Sequence, residues 1–249
     1  MNDVQKKYLE ILKAIDEICK KEALSYMLFG GTLLGAIREG GFIEWDDDAD
    51  IMMHRKEYNI FKKASKKYLD DYGLFLDEEK RFPRAAYLER PEINVEIVLI
   101  DSMPESKFKR KFQRLQLRLL QSMLNERFVF SQHRSIRIPI SLGIWALGRL
   151  LDHKTKLELY HKVSQTGNNE ASDIVFFSNE RYRFMAMDID KNLLKETTRK
   201  RFEGIELMVP KEWDVLLKLY YGEQYMTPKR DNYYVEGSKK GGLTWDWLG

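Results

Sequence analysis

Phe29-Gly30-Gly31-Thr32-Leu33-Leu34-Gly35-Ala36-Ile37-Arg38, followed by Glu44-Trp45-Asp46-Asp47-Asp48-Ala49-Asp50-Ile51, is the stretch on which the reading of this chain turns. Asp46, Asp47, Asp48 and Asp50 crowd together, and packed carboxylates repel unless a cation neutralises them. Side chains alternate along an extended strand, so Asp48 and Asp50 are expected on one face, with Asp46 just before them. Two carboxylates at i and i+2 suit Mg²⁺ or Mn²⁺, which prefer hard oxygen ligands. Apolar Ile51-Met52-Met53 would then anchor the strand in a sheet. Upstream, the missing side chains of Gly30 and Gly31 would let a phosphate approach backbone N–H groups at the start of the next helix. An acidic run alone reads equally well as a solvated loop. Its position between Trp45 and Ile51, shortly after the glycine pair, favours a metal and phosphate site.

Working outward, a third carboxylate is expected from a neighbouring strand. Glu96 is a lone charge inside apolar 93–100, and a buried carboxylate needs a partner, either a metal or an arginine. Asp101 reads as the strand-ending turn residue. Val4, Tyr8, Ile11, Leu12, Ile15 and Cys19 recur at helical spacing and predict an amphipathic opening helix. The pattern further predicts strands at 25–29, 73–76, 84–88 and 93–100. Helices are expected at 55–71, 105–125 and up to about 165, with a late one at 211–221 introduced by Pro210. The stretch after Ser178 shows no clear period. The expected fold class is α+β, a small mixed sheet flanked by helices, with a helical middle segment. One catalytic domain is expected over 1–249, comprising a core at 1–104, a helical insertion at 105–180 and a C-terminal portion at 181–249 that packs on the core.

The chain has 249 residues, 43% of them hydrophobic, enough for one sizeable core. Net charge is only +3, so attraction to anions must come from local patches. Cys19 is the single cysteine, which excludes an internal disulfide and a cysteine-based zinc site; it reads as a small buried hydrophobe. No apolar run reaches the roughly 20 residues a spanning helix needs. The expected location is cytoplasmic, at most peripheral at the inner face of a membrane. Lys107, Lys109, Arg110, Lys111, Arg114, Arg118, Arg127, Arg134 and Arg137 alternate with Phe108, Phe112, Leu115, Leu117, Leu119 and Phe128, ahead of apolar 138–151. Two readings stay open for 107–151: a solvated cationic face packed on the domain, or peripheral contact with an anionic membrane. No RNA-binding signature accompanies the basic stretch, so a nucleic-acid partner is not expected. His54, His133, His153 and His161 share no ligand-like spacing; His54 is expected near the site and the others on the surface. Trp213, Leu216, Leu217 and Tyr220, at helical spacing, read as core packing.

With these residues assembled, the chain resembles the LicD family, the bacterial phosphocholine transferases related to fukutin and fukutin-related protein. The resemblance rests on Gly30 to Arg38, on Phe42-Ile43-Glu44-Trp45-Asp46-Asp47-Asp48-Ala49-Asp50 and on Met53-His54-Arg55-Lys56-Glu57-Tyr58. It continues through 95–104, Phe202-Glu203-Gly204-Ile205, Val209-Pro210 and Tyr221 to Pro228. It implies a nucleotidyltransferase-like fold and transfer of a phospho-alcohol, foremost phosphocholine, from a CDP-activated donor to a hydroxyl of a cell-envelope glycan such as teichoic acid or lipopolysaccharide. Asp48 and Asp50 match the family's metal-binding pair, whereas Glu96 stands where aspartate is common and Glu44 where proline is usual. On this reading Asp48, Asp50 and Glu96 hold Mg²⁺ or Mn²⁺, and Asp46 supports Asp48 or accepts the acceptor's proton. Gly30, Gly31, Thr32, Arg38 and Arg84 would meet the donor's phosphates, and the glycan acceptor could be lipid-linked. Alternatives are ribitol or glycerol phosphate as the transferred group, a nucleotidyltransferase acting on a small molecule or RNA, and a noncatalytic binding member.

Overall fold

The computed structural model describes residues 1–124, 143 and 148–228. Arg127, Phe128, His133, Arg134, Arg137, the 138–142 and 144–147 parts of the apolar segment and the C-terminal aromatics from Tyr233 onward lie outside the described residues.

The opening helix, α1 (Asp3–Lys21), starts on a capping box, in which the Asn2 side chain accepts from the Gln5 N–H and the Gln5 side chain accepts from the Asn2 N–H. Tyr8, Ile11, Leu12, Ile15 and Cys19 form its buried face, as their spacing predicts. The main sheet assembles around one long strand, β5 (Asn94–Ser102). On one edge it pairs in parallel with β2 (Asp50–His54), which pairs antiparallel with the two-residue β1 (Met27–Leu28). On its other edge, β4 (Arg84–Tyr87), backed by β3 (Leu74–Asp77), pairs antiparallel with the start of β5. There β6 (Ile174–Phe177), backed by β7 (Ile189–Asp190), pairs with its end.

Between β4 and β6 the edge of β5 is closed by a side chain. Leu99 N–H donates to Asn179 Oδ1 at 2.7 Å, and Asn179 Nδ2 donates to Ile97 O at 2.9 Å, so an amide side chain replaces a strand rung. Strand β5 therefore ends at Ser102, and Asp101 is inside it, not in a turn. Its neighbour β6, unannounced by the sequence pattern, lies within the 105–180 span and joins the main sheet.

Helices α2 (Gly30–Arg38), α3 (Arg55–Tyr68) and α1 cover the sheet. Helices α4 (Lys107–Leu124) and α5 (His153–Ser164) pack on each other over a satellite core of Met103, Leu117, Tyr160, Phe176 and Met185, the last from the short α6 (Tyr182–Met185). The C-terminal part adds a hairpin, β8 (Thr197–Phe202) and β9 (Ile205–Pro210), whose turn at Glu203-Gly204 has φ of 48° and 82°. Two successive positive φ values make the mirror-image turn that suits a two-residue hairpin. Its tip grips the chain ahead of the acidic run: Glu203 N–H donates to Gly40 O, and Phe42 N–H donates to Glu203 Oε1. Pro210 closes β9 instead of opening the last helix, which runs as α7 (Trp213–Tyr221). Leu216, Leu217 and Tyr220 are buried and Trp213 packs against them, as their spacing predicts. The architecture is α+β, with a curled mixed sheet and helices, consistent with a nucleotidyltransferase-like fold.

Candidate active site

Asp50 opens β2 and Glu96 lies directly across from it in β5, because the two parallel strands run in register. Neighbouring strands stand about 5 Å apart, so the two carboxylates face each other across one rung. Asp46, Asp47 and Asp48 precede β2 in a loop, with buried Ala49 between Asp48 and Asp50. Only Asp50 of the acidic run is in the strand; the loop is shaped by other elements. Gln5 Nε2 donates to Ile43 O and Asp46 O at 3.0 and 3.2 Å, and Tyr8 Oη donates to Asp47 O at 2.7 Å. The residue that caps α1 thus also clamps the acidic loop.

The glycine pair meets the aspartates directly. A β-carbon on Gly31 would lie 2.4 Å from Asp46 Oδ2, and one on Gly30 would lie 3.2 Å from Asp50 Oδ2. Gly30 has φ +55° as it enters α2, a conformation that glycine adopts without cost. Carboxylates at a helix start are favoured by its partial positive charge. Buried Thr32 accepts the Asp50 N–H on Oγ1 at 2.9 Å, fixing the start of β2.

A further acid joins them from a region where the sequence shows no period. Glu180, just past β6, adds negative charge against Asp48, Asp50 and Glu96. Its carboxylate accepts from Tyr220 Oη at 2.8 Å and from the Arg181 N–H at 2.7 Å. Its carbonyl accepts from Arg81 Nη1 and Gln121 Nε2. The only trace of it in the sequence is an apolar Ile174-Val175-Phe176-Phe177 run ending in polar Ser178-Asn179-Glu180.

Burial and like charge raise the carboxyl pKa values together. Asp50 is held well above the usual carboxylate range by burial, then by Asp48, Glu96, Glu180 and Asp46. Asp46 is pushed up to about 7 by burial and by Asp48 and Asp47, with Arg38 opposing, and its carboxyl shares a hydrogen bond with that of Asp48. Glu96 is raised by burial, against the pull of Arg84. Asp48 is raised by burial and Asp47, against the pull of Arg181.

Two carboxylates about 5 Å apart repel by about 3 kcal/mol at an effective dielectric near 20, whereas a helix terminus returns at most about 1 kcal/mol at a surface site. Arg84 sits opposite Glu96 in register but turns both Nε and Nη2 to Asp77, at 2.9 and 2.8 Å. Arg38 pairs with Glu39 at 2.7 Å, and its Nη1 reaches Tyr225 O at 3.4 Å. Neither arginine forms an ion pair with the cluster. An all-carboxylate donor set with unspent negative charge fits a hard divalent cation. Asp48 is exposed while Asp46, Asp50, Glu96 and Glu180 are half-buried, so the set is open to solvent. Among the described residues no three such groups already stand as a metal-holding cluster.

The histidines stand apart from this chemistry. His54, at the far end of β2, bonds Leu194 O at 2.9 Å; His153 bonds Glu79 O. His161 is half-buried, not on the surface, because α5 turns it towards Arg55 and Asp101; burial lowers its pKa to about 4. Buried Cys19 is a core residue, its thiol pKa raised by burial. Among the described residues no helix is long and apolar enough to cross a membrane.

Residues 23–134 match the family model of the LicD/FKTN/FKRP nucleotidyltransferase domain, which spans the glycine pair, the acidic loop and Glu96. Lipopolysaccharide cholinephosphotransferase LicD of Haemophilus influenzae is 23% identical over 248 residues, covering 90% of this chain and 91% of that protein. The uncharacterized proteins RP689 of Rickettsia prowazekii and RT0683 of Rickettsia typhi are each 40% identical over 52 residues, 20% of this chain. They cover 20% and 17% of those proteins respectively. The chain is thus similar to the LicD family in two ways, through the nucleotidyltransferase-domain match over residues 23–134 and through the likeness to the H. influenzae protein along most of its length.

Proposed function

We propose that this protein is a phosphotransferase that moves phosphocholine from a CDP-activated donor onto a hydroxyl of a cell-envelope glycan, with Mg²⁺ or Mn²⁺ held by Asp48, Asp50 and Glu96. The observation that carries this reading is the facing of Asp50 and Glu96 across one rung, against a glycine-opened helix start, with Arg84 turned away to Asp77. The likeness to the H. influenzae lipopolysaccharide cholinephosphotransferase, which runs through most of both chains, supports the transferred group and the acceptor class.

When bound, the metal would draw charge off the transferring phosphoryl oxygens and stabilise CMP as it leaves. The acceptor oxygen would form its bond to the choline-bearing phosphorus as the bond to the CMP oxygen breaks. Asp46, already hydrogen-bonded to Asp48, would orient it or take the proton that the acceptor hydroxyl loses. The donor's diphosphate would lie over Gly30 and Gly31, where side chains are absent. Arg38 and Arg84 would act on it as nearby positive charge, since their direct partners are Glu39 and Asp77. Thr32 would act through Asp50, whose backbone it holds. Gln5, Tyr8 and Tyr220 keep the loop and Glu180 in place.

The test is metal-dependent CMP release from CDP-choline, CDP-ribitol and CDP-glycerol, with ATP alongside and glycan acceptor present, for wild type, Asp48→Asn and Asp50→Asn. Release from CDP-choline that both substitutions abolish would support the proposal. Release confined to another CDP-alcohol would reassign the transferred group. Turnover of ATP alone, or near wild-type activity in Asp48→Asn, would overturn it.

A further inference from the structure

Helix α4 carries two apolar faces. One packs inward, where Leu117 is fully buried and Gln113 and Gln121 bond Val163 O, Ser164 O and Tyr160 Oη. On the opposite side Phe108, Phe112 and Leu115, at i, i+4 and i+7, leave 79%, 54% and 52% of their surfaces exposed. Those positions are polar on an ordinary surface helix. The three arginines of α4 do not share this outer face: Arg110 and Arg114 turn to Asp188, and Arg118 lies over the Tyr182 ring. What borders the exposed stripe is lysine, with Lys107 and Lys111 on one side and Lys109, 3.3 Å from Glu170, on the other.

We propose that this face of α4 docks on an anionic lipid bilayer. Lysines rimming an aromatic stripe match such a surface: the ammonium groups meet headgroup phosphates while the two rings enter the headgroup–acyl boundary. The inner face of the same helix reaches the active site, since Gln121 Nε2 donates to Glu180 O at 2.9 Å. Docking would therefore hold the carboxylate cluster about one helix diameter, roughly 10 Å, plus a loop from the bilayer, within reach of a lipid-linked acceptor. The surface is a property of α4 itself and stands whichever group the enzyme transfers.

The experiment is co-sedimentation of the full chain with phosphatidylcholine vesicles, with and without phosphatidylglycerol. It compares wild type, Phe108→Ser with Phe112→Ser, and Lys107→Glu with Lys111→Glu. Thermal unfolding and gel filtration run alongside. Wild type is expected to sediment only with the anionic vesicles, and each double variant to partition roughly tenfold less at an unchanged melting temperature. No sedimentation with anionic vesicles, or equal sedimentation by the phenylalanine variant, would overturn the proposal. So would a melting temperature lowered by several degrees in that variant, which would mean the chain itself covers the stripe. A wild-type dimer that the substitution makes monomeric would assign the face to a second copy instead, and would also overturn it.

Discussion

The two ends of strand β5 carry the same kind of residue in opposite electrostatic settings. At one end Glu96 faces Asp50 across the β2 rung, with Asp46, Asp48 and Glu180 adding further negative charge. At the other, Asp101 meets Arg55, the residue that follows β2, in a bidentate pair of 2.9 and 2.5 Å. Ser178 Oγ and Asn168 Nδ2 donate to the same carboxylate. The spacing from Asp50 to Arg55 along β2 and the residue after it equals that from Glu96 to Asp101 along β5, so a single parallel register builds both sites. One end is an acid with its charge answered inside the protein, and it is structural. The other is an acid crowded by like charge and open to water. The contrast separates a buried charge that holds a fold from one that the proposed function assigns to a ligand.

The largest effect should come from breaking the answered end. Asp101→Asn leaves Arg55 buried without its counter-charge and should cost about 3–5 kcal/mol of stability, read by urea unfolding. Replacing both partners with leucine should recover most of that loss, and an additive double variant would deny the pair its structural role. The unanswered end should behave in the reverse sense. Asp50→Asn removes repulsion, so the metal-free protein should unfold in EDTA at the wild-type temperature or above it. Its turnover should fall about 10²–10³-fold, and a loss of stability comparable to Asp101→Asn would erase the distinction. Gly31→Ala tests the approach of helix to acid. The new methyl would displace the Asp46 carboxyl, a flexible tip, so melting should barely move while turnover drops about ten- to a hundredfold.

The smallest effect is a pH dependence confined to the structural end. His161 titrates at about 4 in the folded protein, below the ordinary histidine value, chiefly through burial and then through Arg55. Its neutral form is the folded form, so its contribution is complete above about pH 6.5 and is lost as pH falls towards 4. The shift sets a ceiling of about 3 kcal/mol, which partial solvent access reduces to about 1–2 kcal/mol. His161→Phe should flatten stability over that window, and an unchanged slope would place the acid sensitivity elsewhere.

Much of this was legible in the residues themselves. The amphipathic face of α1, the strand character of Ile51-Met52-Met53 and 93–100, and the burial of Cys19 all follow from local spacing and side-chain chemistry, which short segments express without help. The glycine pair and the crowded aspartates mark the site for the same reason. Asp101 reads locally as a turn residue because its partner, Arg55, is 46 positions away. Pro210 reads locally as a helix start because β9, which it closes, forms only by pairing with β8. Glu180 left no mark because it is an isolated acid whose neighbours arrive from β2, β5, α4 and α7.

By itself, then, the sequence determined the elements that local periodicity dictates, the acidic loop with its glycine opening, and through them the likeness to the LicD family. The tertiary structure alone decided which acids converge and which are neutralised. It also decided that Gln5 and Tyr8 clamp the loop and that α4 turns its arginines inward and its phenylalanines out. Register between β2 and β5 sets the first, helix packing sets the others, and no short segment carries either kind of long-range contact.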